Sequence, residues 1–106
     1  MAIVPSAFVH QAKLDEDVRH AIARLPRKDV VHVAYNLGTD STGEPAIFFR
    51  IVLTDAASHE AGLADVTGRV AAIISDAVHP YEWGVTPYFS FRSKTEQDQR
   101  ADPEWA

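Results

Sequence analysis

The fold is decided by residues 30–53, which read VVHVAYNLGTDSTGEPAIFFRIVL. Apolar side chains alternate along 30–37 and again along 45–54, and alternation with a period of two is the pattern of a β-strand. Between these runs lies a segment rich in glycine, serine, threonine and aspartate, the residues that form turns. The stretch therefore predicts a long β-hairpin. Because its second strand is apolar on both faces, we expect that strand to be central in a sheet.

One helix is predicted on each side of the hairpin in the chain. Residues 15–25 place apolar side chains at the helical spacings of three and four. Residues 58–78 carry a second apolar stripe, in which either Ile73 or Ile74 takes the core position. The candidate N-terminal caps of this second helix are Asp55 and Ser58.

A third strand is predicted at 86–92, with Phe89 and Phe91 on one face and Tyr88 and Arg92 on the other. The element order α-β-β-α-β then specifies a two-layer α+β sandwich, with both helices on one face of a three-stranded sheet. The pattern does not decide the order of the strands within that sheet.

This sandwich is assigned to residues 14–93 as one domain, the number that a chain of 106 residues can form. Residues 1–13 are interpreted as an N-terminal segment, and residues 94–106 as a polar C-terminal tail. The side chains expected in the core are Ile47, Phe49, Ile51, Val70 and Phe89.

Composition narrows the classes of function. The chain contains no cysteine, which excludes disulfides, thiol nucleophiles and thiolate metal sites and favours a cytoplasmic location. No apolar run approaches the roughly 18 residues that a membrane-spanning helix needs. The formal net charge of −5 argues against non-specific binding to nucleic acid, which draws its affinity from basic surfaces.

Motifs for common chemistries are absent from the sequence. The histidines do not have the H-x-x-x-H spacing of a helical metal site, and the serines do not lie in a G-x-S-x-G turn. The sequence also lacks the glycine-rich loops that cradle nucleotide phosphates. We therefore predict no catalytic residue, no metal ligand and no cofactor, and the interpretation favours a non-enzymatic protein.

The favoured function is a protein-interaction or regulatory domain. If both helices lie on one face of the sheet, Phe48 and Val52 project from the other, and Tyr88 can lie beside them. Trp83 adds an aromatic side chain of a kind that is enriched at interfaces. These four residues are the candidate interface, and the partner is a second copy or another protein. A homodimer is predicted unless residues 1–13, or the tail that ends near Trp105, cover the same face.

Two alternatives stay open at this stage. Arg50 and Arg92 could clamp a carboxylate or phosphate if their strands are adjacent, with Asp40 nearby, as in a small enzyme or an anion-binding domain. The element order also resembles that of KH domains, which implies RNA binding on the sheet through Arg50, Tyr88 and Arg92. The G-x-x-G clamp of KH domains is missing, because Gly38 and Gly43 are five residues apart.

Overall fold

A computed structural model describes residues 4–59 and 61–106 of the chain. It confirms the predicted α+β class, a three-stranded sheet with helices packed on one face. In chain order the elements are α1 (Ser6–Val9), α2 (Gln11–Ala23), β1 (Val30–Thr39), β2 (Pro45–Leu53), α3 (Leu63–Val78), β3 (Thr86–Ser93), α4 (Lys94–Arg100) and a 3-10 helix (Pro103–Trp105). Within the two described ranges, no helix has the length and apolar character needed to cross a membrane.

The strands lie in the order β1-β2-β3, so β2 is central as its two apolar faces indicate. β1 and β2 form the predicted antiparallel hairpin, paired from Val30 with Leu53 to Thr39 with Pro45. β2 and β3 are parallel, a pairing that requires a crossover connection, and α3 supplies it. The register places residues from all three strands side by side on each face of the sheet.

The main core lies between the sheet and the helices α2 and α3. Phe49 of β2 is 1% exposed there, among buried side chains of both helices. Phe89 packs against this core but is only half-buried, so it is less buried than predicted. The reason is that β3 is an edge strand, where a ring has a neighbouring strand on one side only. The predicted core residues that are buried are Ile47, Phe49, Ile51 and Val70.

The helices begin at different residues from those predicted. α2 starts at Gln11, and the short α1 precedes it, so helical structure begins within the segment 1–13. α1 is held by tertiary contacts, because Ala7 is buried and its N–H donates to the carbonyl of Trp83 at 3.1 Å. A helix of one turn is too short to show the repeated apolar spacing by which the longer helices were predicted.

The second predicted helix starts at Leu63 rather than at 58, after a turn that follows β2. Neither predicted cap is used. The hydroxyl of Ser58 donates to the carbonyl of Thr54, and the carboxylate of Asp55 accepts bonds from Thr95. Side chains that can cap a helix can also close a turn, and here the turn forms.

Residues 94–106, predicted as a polar tail, fold into α4 and the 3-10 helix. A capping box begins α4, in which the Ser93 hydroxyl accepts from the N–H of Glu96 while the Glu96 carboxylate accepts from the N–H of Ser93. Trp105 in the 3-10 helix is 7% exposed. We call residues 94–106 the C-terminal strap.

Candidate functional site

The candidate site is the face of the sheet that α2 and α3 do not cover. Four rows of paired residues cross it from β1 to β3, and each row draws one residue from each strand. The rows are Gly38–Ala46–Thr86, Asn36–Phe48–Tyr88, Ala34–Arg50–Ser90 and His32–Val52–Arg92.

The C-terminal strap covers Val52 and Arg92 of the last of these rows and leaves His32 exposed. The guanidinium carbon of Arg92 lies 4.2 Å from the centre of the Trp105 ring, a cation–π contact. Trp105 also lies beside Val52, which is 2% exposed. Val52 was predicted to be part of an exposed interface; this expectation is corrected, because the strap already occupies the surface above it.

Arg50 and Arg92 lie on this same face, on adjacent strands, as the anion-clamp alternative requires. Each guanidinium is nevertheless engaged by the protein itself. Arg92 is 15% exposed and bonds Gln97 at 3.1 Å and Asp102 at 3.4 Å. Arg50 donates to the side-chain oxygen of Asn36 and lies 3.9 Å from the carboxylate of Glu104. The strap therefore supplies carboxylates to both arginines.

Asp40 lies away from Arg92, in the turn that joins β1 to β2. Its carboxylate accepts bonds from the N–H and hydroxyl of Thr42, the N–H of Glu44 and the phenol of Tyr88, the last at 2.8 Å. The bond from the Thr42 hydroxyl, followed by that from Tyr88, lowers the pKa of Asp40 to about 2. This arrangement fixes the turn and the Tyr88 side chain, and it does not bring Asp40 together with both arginines.

The part of the face that the strap leaves uncovered contains a pair of aromatic rings. The rings of Phe48 and Tyr88 stack with their centres 5.5 Å apart, and Tyr88 is 41% exposed. Gly38 allows this packing, because a Cβ atom there would lie 3.3 Å from the Phe48 ring. We call the uncovered residues Ala34, Asn36, Phe48, Tyr88 and Ser90 the open patch.

Trp83, the remaining predicted interface residue, does not belong to the open patch. Its side chain is half-buried and packs against the main core. Its carbonyl accepts the bond from α1 described above. Its position fits the closing of one end of the sandwich.

An open cleft of about 560 Å³ lies where the parallel strands β2 and β3 end. Leu53, Leu63 and Phe91 form its apolar lining. On the rim, the hydroxyl of Ser58 donates to Thr54 and that of Thr67 donates to Ala64. These rim hydroxyls are thus bonded within the protein.

A second group of titratable side chains joins α2 to β1. Asp15 accepts from the guanidinium of Arg19 at 2.7 Å and from the phenol of Tyr35 at 2.9 Å. The bond from Arg19, followed by that from Tyr35, lowers the pKa of Asp15. Burial and the bond to Asp15 raise the pKa of Tyr35 to about 12. The described residues contain no group of three or more histidine, aspartate or glutamate side chains that could hold a metal ion.

Sequence reasoning named the tail that ends near Trp105 as one segment that could cover this face, and in the structure Trp105 does pack there; it missed Gln97 and Asp102, which bond Arg92. The sequence does contain a signal for them. Ser93 and Glu96 have the spacing of a capping box, and Asp102 followed by Pro103 has the form of a cap and a first helical residue.

Fold and site together define a small α+β domain with an aromatic sheet face, one end of which its own C-terminal strap covers. Comparison of the chain with protein-family models, with curated proteins and with solved structures gives no match.

The Asp40 turn yields a prediction about pH. Since the pKa of Asp40 is lowered from 3.8 to about 2, its ionised form stabilises the folded protein at neutral pH. That contribution is lost as the pH falls from about 4 to about 2. We expect Asp40→Asn to be less stable than the wild type at neutral pH, with a difference that closes over this window. Urea unfolding followed by tryptophan fluorescence at several pH values measures it. A difference that is the same at every pH would contradict the assignment.

Proposed function

We propose that this chain is a non-enzymatic protein-interaction domain that pairs with a second copy of itself through the open patch. The observation that carries the proposal is the stacked pair of a half-buried Phe48 and a 41% exposed Tyr88, on a sheet face whose other end the strap covers. Each Å² of apolar surface that a partner buries contributes roughly 25 cal/mol. Aromatic side chains are also the residues that dominate the energetics of protein interfaces.

The charges around the patch support a second copy as the partner. Asp40 contacts Tyr88 at the turn end of the patch, and Arg50 lies one row beyond Phe48 towards the other end. A two-fold axis that runs across the strands would place Arg50 of one copy over Asp40 of the other. Asp40 of each copy would then face Arg50 of the other, whose neighbour Glu104 lies 3.9 Å away and offsets part of its charge; two-fold pairing is the commonest symmetry of protein oligomers.

The same charges favour protein over nucleic acid as the partner. Asp40 lies at one border of the patch and Glu104, 72% exposed, approaches Arg50 at the other. Two carboxylates beside the patch oppose the approach of a phosphate backbone, whose binding depends on neutralisation by basic side chains. The net charge of −5 acts in the same direction.

The test is sedimentation of wild-type and Phe48→Glu proteins over a range of concentrations. The wild type is expected to approach twice the chain mass of 11.7 kDa at tens of micromolar. Phe48→Glu places a carboxylate in the centre of the patch and is expected to weaken the association at least tenfold, which is about 1.4 kcal/mol.

Val9→Glu is the matched control, because Val9 is 61% exposed on α1 and lies outside the sheet. Like Phe48→Glu, it adds one negative charge and removes an apolar side chain from the surface. We expect Val9→Glu to associate as the wild type does. A wild-type protein that stays at 11.7 kDa throughout, or equal weakening by both variants, would overturn the proposal.

A further inference from the structure

The C-terminal strap is attached to a surface that is separate from the main core. The core lies on the helical side of the sheet, and neither Val52 nor Trp105 belongs to it. Within the strap, α4 has no buried residue, and Trp105 is the buried residue of the 3-10 helix. One aromatic side chain therefore provides most of the apolar anchorage of thirteen residues.

The other contacts of the strap with the sheet are mostly polar, and several of them involve Arg92. The guanidinium stacks on Trp105 and bonds Gln97 and Asp102. Gln97 also donates to the carbonyl of Asp102 at 2.9 Å, which fixes the bend between α4 and the 3-10 helix. At the start of the strap, Thr95 donates to Asp55 from both its N–H and its hydroxyl. Buried aromatic anchors dominate the energetics of many interfaces, and arginines that bind acidic motifs are a known mode of peptide recognition.

We propose that the sheet face around Val52 and Arg92 is a peptide-binding site, that the strap is its resident ligand, and that the strap of a second copy can replace it. The site recognises a short acidic segment with a tryptophan near its end. The strap carries four acidic and two basic residues, and so matches the cation that Arg92 offers. The proposal rests on the proposed function only in that exchange of straps requires two copies to associate.

Tethering determines how such a site behaves. A resident segment on a short connection is present at an effective concentration in the millimolar range, so it occupies the site in the wild type. A peptide added in solution competes poorly with it. If the resident strap loses its anchor, the site becomes available to the added peptide.

The experiment uses the full chain with Trp105→Ala and a labelled synthetic peptide of residues 93–106, followed by fluorescence anisotropy. The peptide is expected to bind Trp105→Ala at least tenfold more tightly than it binds the wild type. A peptide that carries the same tryptophan-to-alanine change is expected to lose that binding. The protein variant Val9→Ala is the control and should behave as the wild type. Equal affinity for the wild type and Trp105→Ala, or binding to neither, would overturn the proposal.

Two further measurements test the proposal if Trp105→Ala does not fold or if the chain does not self-associate. If Trp105→Ala does not fold by circular dichroism, Asp102→Ala weakens the strap without removal of its ring, and the same tenfold criterion applies. Peptide binding is also measured in Phe48→Glu combined with Trp105→Ala. Phe48 lies outside the strap site, so binding should persist there even if sedimentation shows that the chain does not self-associate. A failure of the strap proposal is thereby distinguished from a failure of the proposed function.

Discussion

Phe49→Ala is expected to destabilise the protein by about 3–5 kcal/mol, the usual cost of removing a buried phenylalanine ring. Phe49 is 1% exposed in the centre of β2. The centre of its ring lies 5.2 Å from that of the stacked Phe89 ring and 6.2 Å from that of the Tyr35 ring. A small domain has about 5–15 kcal/mol of stability in total, so the loss is a large share of it. Urea unfolding monitored by circular dichroism measures the change.

The adjacent residue is the control. Phe48 projects from the opposite face of the same strand and is half-buried, so Phe48→Ala should cost about 1 kcal/mol through lost apolar burial. Equal losses from the two variants would contradict the two-faced sheet described above.

Ile74→Ala is expected to cost about 2–5 kcal/mol, because it leaves a cavity between α3 and the sheet. Ile74 is 1% exposed and belongs to the main core, together with Val66, Val70 and Val78 of the same helix. The free energy of unfolding, from urea or thermal denaturation, measures the effect.

Ile73 gives a matched comparison, since it precedes Ile74 in the same helix and is half-buried. The sequence leaves open which of the two isoleucines faces the core. Ile73→Ala should cost about 1 kcal/mol, in proportion to its smaller buried area. If Ile73→Ala were the more damaging variant, the rotation of α3 about its axis would have to be different.

The hairpin and the central position of β2 could be predicted because they follow from local alternation. Residues from Ala46 to Leu53 are apolar on both faces, and β2 indeed has a strand on each side and helices or strap above and below it. The periodicity of the apolar residues therefore predicts most of the architecture. The parallel pairing of β2 with β3 is not predicted, because the pattern leaves the strand order open, although α3 provides the crossover that such a pair needs.

The parts that sequence reasoning missed depend on contacts between distant residues. α1 is one turn whose burial depends on Trp83, and Phe89 is half-buried because β3 happens to be the edge. At the candidate site, the alternation of β2 placed Phe48 and Val52 on one face. It could not show that Trp105, more than fifty residues later, packs beside Val52 and leaves Tyr88 exposed.

The most direct test of the central claim is nuclear magnetic resonance of the uniformly ¹⁵N-labelled chain over a range of concentrations. If two copies pair through the open patch, concentration-dependent shifts should concentrate on backbone amides around Asn36, Phe48, Tyr88 and Ser90. The amide chemical shifts of α2 and α3, which cover the other face, should not change with concentration. Shifts that map to those helices, or a spectrum that does not change with concentration, would contradict the claim.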